Sequence, residues 1–249
     1  ERFLDLSDPN KGEIVNNYDW LGKMSTLDFL RDYGKYFPIN YMLSKEIVSS
    51  RLEAGISFTE FAYQILQSID FYHLHHAKGV AIQVGGNDQW GNLTSGLELI
   101  RKLDGDTEPV EALTCRLITR SDGKKFGKSE KGALFLNPEL TSPYELYQFF
   151  INTTDEDAVR YLKVFTFLSR EEIENIAREH LLNPGQRIAQ KKLAYEVTKD
   201  IHGLEAAEEA LKMSDVLFSG EVKSLNEKEI EELLGSIKVK VDENISLVD

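Results

Sequence analysis

Cysteine is nearly absent from this chain: Cys115 stands alone among 249 residues. An internal disulfide is excluded, and a reducing compartment, the cytoplasm, is expected. Cys115 lies in an alternating apolar stretch and is expected in the core. Long apolar runs are missing too. None approaches the ~18 residues of a membrane-spanning helix, so no membrane partner is expected. No cleavable leader is expected in the residues that follow Glu1. Positive charge is scarce: 29 Lys and Arg against 42 Asp and Glu leave a net charge of −13. A protein that binds nucleic acid over its whole surface is usually basic. Any such contact is therefore confined to local clusters: Arg101-Lys102, Lys124-Lys125-Lys128-Lys131 and Arg187-Lys191-Lys192. Each also reads as the solvated face of its element. The 41% hydrophobic content supports a real core, and the length allows one large or two modest domains.

Two stretches organise the rest. Val80-Ala81-Ile82-Gln83-Val84 is an apolar run of strand length, and Leu93, Leu97 and Ile100 recur at helical spacing. Between them lies Gly85-Gly86-Asn87-Asp88-Gln89-Trp90-Gly91-Asn92. This is strand, glycine turn, helix, with Asp88 the expected N-cap. Two glycines let backbone approach a ligand closely, although a glycine pair alone also suits an ordinary βα turn. The second stretch is Lys125-Phe126-Gly127-Lys128-Ser129, inside a polar, basic loop over 119–132. Alone it reads equally as a basic surface turn.

The other elements follow from local chemistry. Thr26 to Tyr36 predicts a helix capped by Ser25 or Thr26, with Leu27, Leu30 and Tyr33 beginning its apolar pattern. Asn40 to Leu52 predicts a second, stopped by Gly55. Ser57-Phe58-Thr59-Glu60 carries capping-box chemistry and opens a longer helix. Its stripe is Phe61, Ala62, Ile65, Leu66, Ile69 and Tyr72, while Tyr63, Gln67 and Asp70 share another face at i, i+4 and i+7. Such a triplet is commonly a solvated side. His73, His75 and His76 lack a Cys or acidic partner at zinc-ligand spacing; they suit the negative end of the helix macrodipole. Residues 111–118 predict a strand. Helices are expected near 143–152, 155–166, 169–182, 185–201 and 203–214, with Pro143 and Pro184 in first turns. Lys223 to Asp249 predicts a charged amphipathic helix and an extended tail.

Gly85 to Asn92 resembles the signature of the bacterial-type tyrosyl-tRNA synthetases. Lys125 to Ser129 resembles their version of the mobile lysine loop of class I synthetases, whose consensus is Lys-Met-Ser-Lys-Ser. The likeness runs from Asn16-Asn17-Tyr18-Asp19-Trp20 through Tyr195 and His202. It implies an α/β fold: the second half of a Rossmann-like class I parallel sheet with a helical insertion, followed by an all-helical domain. The implied division is 1–136 catalytic, 137–235 helical and 236–249 linker. The implied reaction is ATP-dependent activation of L-tyrosine and transfer to tRNA(Tyr) by a homodimer. The insertion supplies the dimer contact, with Phe58 nearby; core packing or a hydrophobic staple is the other reading of Phe58.

The resemblance also implies roles. Tyr63 and Gln67 hold the α-amino group, and Asp70 accepts from the substrate phenol. Gln83 and Gln89 line the carboxyl end of the tyrosine site. Asn17 lies near it, or makes a local turn. Gly86 and Asp88 meet ATP, with Asp88 on the ribose hydroxyls. Arg101 and Lys102 touch the tRNA acceptor stem. Lys125, Lys128 and Ser129 serve adenylyl transfer, in which the tyrosine carboxylate attacks the α-phosphorus and pyrophosphate leaves. Cations there stabilise charge that develops in the transition state. No general base is required, because the nucleophile is already ionised. Gly127 suits a loop that closes on substrate. Mg²⁺ is expected to accompany ATP, with no metal held by the protein. The resemblance places a His-x-Gly-His-type motif before Glu1 and an anticodon-arm module after Asp249, so an internal portion of a longer enzyme is expected. A tryptophanyl-tRNA synthetase and a non-catalytic RNA-binding or dimerisation module are the alternatives.

Overall fold

Most of the chain winds into helices, and the starts of the long ones are set by serine and threonine caps. A computed structural model describes residues 4–8, 10–106, 109–123, 126–129, 132–219 and 229–230. They fall into two compact units, Glu1–Ile118 and Thr119–Asp249.

The first unit begins with α1 (Tyr18–Leu21) and α2 (Thr26–Asp28). Ser25 caps α2, its Oγ accepting from the Asp28 N–H at 3.1 Å. The expected helix over 26–36 then changes winding, to a π turn (Phe29–Tyr33) and a 3₁₀ turn (Gly34–Tyr36). A π turn adds a residue to the winding, so no single 3.6-residue period holds across the segment. Leu27 and Leu30, expected to begin the buried stripe, are exposed. Phe29, Tyr33, Tyr36 and Phe37 enter the core instead. The expected helix over 40–52 divides into α3 (Ile39–Leu43) and α4 (Glu46–Ser49). At the break, Ser44 Oγ donates to the Tyr41 carbonyl at 2.8 Å, a local bond that competes with helix continuation.

Helix α5 (Phe58–Lys78) has the full capping box between Ser57 and Glu60. It ends at Gly79, whose φ of +70° is the left-handed conformation glycine adopts without strain. Ile65 and Ile69 pack with Phe37, Met42 and Leu99 in the core of this unit. Strand β1 (Ile82–Gly86) leads into a 3₁₀ turn (Asn87–Gln89) and α6 (Trp90–Asp104), and the chain returns as β2 (Glu111–Cys115). β1 and β2 are parallel, with Ile82 opposite Glu111 and Gly86 opposite Cys115. α6 packs on α5 at Gly96, where an added Cβ would come within 3.1 Å of the Phe71 ring. Ile82, Val84 and Leu113 are exposed. So is Cys115, against the expectation of a core position: it shares the alternation of Glu111 and Leu113, both exposed.

The second unit opens with a short hairpin, β3 (Lys128–Ser129) antiparallel to β4 (Gly132–Ala133). The helices are α7 (Pro143–Ile151), α8 (Asp155–Phe165), α9 (Arg170–Leu182), α10 (Ile188–His202) and α11 (Leu204–Ser219). Ser142, Thr154 and Ser169 cap the first three. Pro143 occupies the first turn of α7. Pro184 begins a separate 3₁₀ turn, and Arg187 in the left-handed region delays α10 to Ile188. Leu146, Tyr147, Tyr161, Leu162, Leu193 and Ala194 are its fully buried centre. Burial pushes the Tyr147 phenol up to about 12, with the Asp215 carboxylate adding to the rise. No helix among the described residues is long and apolar enough to cross a membrane.

Candidate active site

Among the residues expected in the site, Asp70 is held by two side chains of the first unit. It projects half-buried from α5, and both carboxylate oxygens accept hydrogen bonds from the chain's own side chains. Trp20 Nε1 donates at 2.8 Å and Asn17 Nδ2 at 3.0 Å. Asn17 therefore does more than make a local turn: it reaches a residue 53 positions away. The Trp20 ring also stacks on His73, with centroids 4.4 Å apart. Sequence reading gave Trp20 no role. Its spacing of i+3 from Asn17 was the available signal, since that places both on one side of a helical turn. Beside Asp70, Gln67 is half-buried and Tyr63 is exposed.

The histidines are dispersed among different partners. His75 Nδ1 meets the Val80 carbonyl at 2.8 Å, and His76 Nε2 pairs with Asp104 at 3.0 Å. Among the described residues no group of three His, Cys, Asp or Glu is placed to hold a metal ion.

At the carboxyl end of β1 the two glycines leave room for neighbouring side chains. Gly86 has an ordinary extended conformation (φ −73°, ψ 163°). A Cβ there would lie 2.6 Å from Asp88 Oδ1 and 2.9 Å from Leu117 Cδ2. At Gly85 a Cβ would come within 3.1 Å of Gln89 Cβ. Asp88 is not the N-cap of α6: it sits inside the 3₁₀ turn, and Gln89 holds the cap position without a side-chain cap bond. The extra turn carries the Asp88 carboxylate off the helix end. It is exposed and accepts no hydrogen bond among the described residues. Gln89 Oε1 accepts from the buried Asn92 amide at 3.0 Å. Gln83 Oε1 is buried and has no partner among the described residues. The carboxyl ends of parallel strands are where α/β sheets bind ligands.

Arg101 and Lys102, at the end of α6, are already engaged. Arg101 holds Glu98 through two bonds, of 2.7 and 3.0 Å. Arg101 leads the causes that hold the Glu98 carboxyl below its usual range. Lys102 Nζ donates to the Tyr36 carbonyl at 2.8 Å.

The lysine loop belongs to the second unit. Lys125 lies outside the described residues. The backbone of Lys128 and Ser129 forms β3, and Gly127 has φ +86°. Phe126 sits in an aromatic nest of Phe149, Phe150, Tyr161 and Phe165. A cavity of about 510 Å³ opens beside it, lined by Arg120, Leu134, Tyr144 and Asp157 among others. None of the residues expected to bind tyrosine lines it.

Residues 3–219 match the family of tRNA synthetases class I (W and Y). The chain belongs to this family. It is 60% identical over 222 residues to the tyrosine–tRNA ligase of Lactobacillus johnsonii, covering 89% of this chain and 53% of that protein. To the tyrosine–tRNA ligase of Listeria monocytogenes it is 54% identical over 250 residues, covering all of this chain and 60% of that one. The chain thus spans a little over half the length of the curated relatives it matches. Among solved structures it resembles the C-terminally truncated mitochondrial tyrosyl-tRNA synthetase of Aspergillus nidulans, with a TM-score of 0.68 at 35% identity, over 81% of this chain and 57% of that one. The counterpart from Coccidioides posadasii gives 0.66 at 36%, over 79% and 56%. The two parallel strands and the helices around them thus belong to a class I synthetase catalytic fold.

Proposed function

We propose that this chain carries catalytic machinery of a tyrosine–tRNA ligase, which activates L-tyrosine with ATP and transfers it to tRNA(Tyr). The observation that carries the reading is the Asp70 carboxylate, fixed by Trp20 and Asn17 on a half-buried face of α5. A fixed acceptor suits a phenol O–H, and leaving such a group unpaired is costly. Phenylalanine, which lacks the hydroxyl, is therefore disfavoured. Gln67 and Tyr63, one and two turns earlier on the same helix, hold the ammonium group. Gln83 and Gln89 line the carboxyl end, where their amide N–H groups can donate to the carboxylate. Asp88, without a hydrogen-bond partner among the described residues, takes the ribose hydroxyls of ATP at the end of β1.

Lys125, Lys128 and Ser129 act on the phosphates. Their contribution is electrostatic: charge grows on the phosphate oxygens as the carboxylate attacks, and cations held there favour the transition state. Mg²⁺ arrives on the phosphates of ATP, the usual way this ion is held. Residues 1–136 supply the nucleotide-binding part and 137–235 the helical domain; 236–249 lie outside the described residues. Phe58, 76% exposed at the start of α5, is unsuited to a core role and suits a dimer contact. Arg101 and Lys102 offer charge to the acceptor stem. The reaction belongs to translation in the cytoplasm.

The test is pyrophosphate exchange by the full-length natural protein that carries this chain, with each amino acid in turn. Exchange driven by tyrosine supports the reading. Exchange driven by tryptophan instead, or by neither, refutes it.

A further inference from the structure

One face of α8 holds the lysine loop at two points. Asp157, Tyr161 and Phe165 stand at i, i+4 and i+8 and so line up along that face. Asp157 is buried, 2% exposed, in the first turn. Its oxygens accept from the Ser121 backbone N–H at 3.0 Å each and from Ser121 Oγ at 3.0 Å. Arg160 Nη2 donates to the same carboxylate at 2.6 Å and also to the Thr119 carbonyl. The Tyr161 hydroxyl donates to that carbonyl at 3.2 Å. Further along the loop, the Phe126 ring packs 5.1 Å from Tyr161 and 4.7 Å from Phe165, centroid to centroid. On the far side the Leu134 N–H donates to the Gly127 carbonyl at 3.1 Å. Lys128 follows Phe126 by two residues and pairs with Ala133.

Asp157 is not needed as the cap of its own helix. Thr154 fills that role, its Oγ1 accepting from the Asp157 N–H at 3.2 Å. A buried carboxylate is costly unless paired. Here most of the pairing comes from Ser121, 36 positions earlier. The carboxylate thus fastens the start of the loop to α8.

We propose that Asp157 is a positioning residue for adenylyl transfer: it fixes the loop at Ser121 so that Phe126 seats on Tyr161 and Phe165 and Lys128 meets the phosphates in register. This rests on the loop role assigned above. Displacing a positioned group by about an ångström costs rate more than ground-state binding.

The experiment uses Asp157→Asn, Lys128→Ala and the double variant in the full-length natural protein. Single-turnover formation of tyrosyl-adenylate and equilibrium tyrosine binding are measured for each. Asp157→Asn is expected to slow adenylate formation roughly tenfold, about 1.4 kcal/mol of barrier, with tyrosine binding unchanged. On the Lys128→Ala background it should slow the reaction no further, because the group it positions is gone. A loss that multiplies in full on that background, or no loss in the single variant, overturns the proposal. Should Asp157→Asn fail to fold, Ser121→Ala removes only the hydroxyl donor and runs through the same cycle, with the same two outcomes overturning the proposal. Normal adenylate formation by Lys128→Ala is a distinct result: it refutes the assigned loop role, and the proposal falls with it.

Discussion

Replacing Gly86 by alanine tests whether the glycine is there to make room for a carboxylate. The backbone at this position suits any residue, so alanine meets no conformational penalty. Its methyl group would lie 2.6 Å from Asp88 Oδ1 and 2.9 Å from Leu117 Cδ2. Both contacts are ends of side chains that can rotate away. The fold therefore loses little, about 1 kcal/mol, the low end for an inserted methyl group. The carboxylate, however, must leave its place. If it binds the ribose, a charge-assisted hydrogen bond is lost, about 1.5–3 kcal/mol. That corresponds to a fall of roughly 10- to 150-fold in kcat/KM for ATP. Tyrosine binding should stay within about twofold of native, a shift of only ~0.4 kcal/mol. Steady-state exchange kinetics with varied ATP, beside Asp88→Ala and the double variant, measure this. The double variant should be no worse than Asp88→Ala alone. A Gly86→Ala enzyme with native kcat/KM for ATP would refute the steric argument if Asp88→Ala is impaired, and the ribose role of Asp88 if Asp88→Ala is native too.

Three further outcomes are expected. Asp70→Ala removes the proposed phenol acceptor and strands the Trp20 and Asn17 donors, so the tyrosine-over-phenylalanine ratio in kcat/KM should fall at least about tenfold; an unchanged ratio means that another group reads the phenol. Gly96→Ala pushes a methyl group to 3.1 Å from Phe71 Cδ1 and should cost about 1–2 kcal/mol in denaturant unfolding, with the native midpoint as the contrary result. For Glu196, burial pushes the carboxyl up, but hydrogen bonds from Lys192 and Lys199 bring it below its ordinary 4.5. A depressed carboxyl contributes stability that is present above the unfolded value and lost as pH falls through the folded one. Glu196→Gln should therefore be less stable by about 2 kcal/mol at neutral pH, and the gap should narrow as pH falls below 4.5; a gap independent of pH would count against the pairing.

Local chemistry made the helical unit legible. Ser142, Thr154 and Ser169 announce their helices, and the expected bounds of α7, α8 and α9 differ from those observed by a residue at most. Ser57 with Glu60 likewise marks the start of α5. What stayed hidden depends on partners far along the chain. The turnover of Leu27 and Leu30 to the surface follows from a π turn that leaves no compositional mark. Asp88 has the chemistry of a cap, and only the intervening 3₁₀ turn removes it from that duty. Alternation placed Cys115 on one face of β2 without saying which face is covered. In the site, Asp70 and Asn17 were named separately, and their bond was not foreseen. Asp157 looked like an ordinary acidic first-turn residue, because its partners lie in another segment.

The resemblance assigns Arg101 and Lys102 to the acceptor stem, yet each already has a partner within the first unit. Polyelectrolyte theory counts counterions released from RNA, roughly 0.7–0.9 per phosphate neutralised, whichever cation does it. An arginine that must first part from Glu98 still releases that share, so its contribution to the salt slope survives. Its contribution to affinity is reduced by the cost of the exchange. RNA held at this end of α6 should therefore be weak for its salt sensitivity. Removing the Glu98 carboxylate would tighten binding at every salt concentration while leaving the slope of log affinity against log salt unchanged.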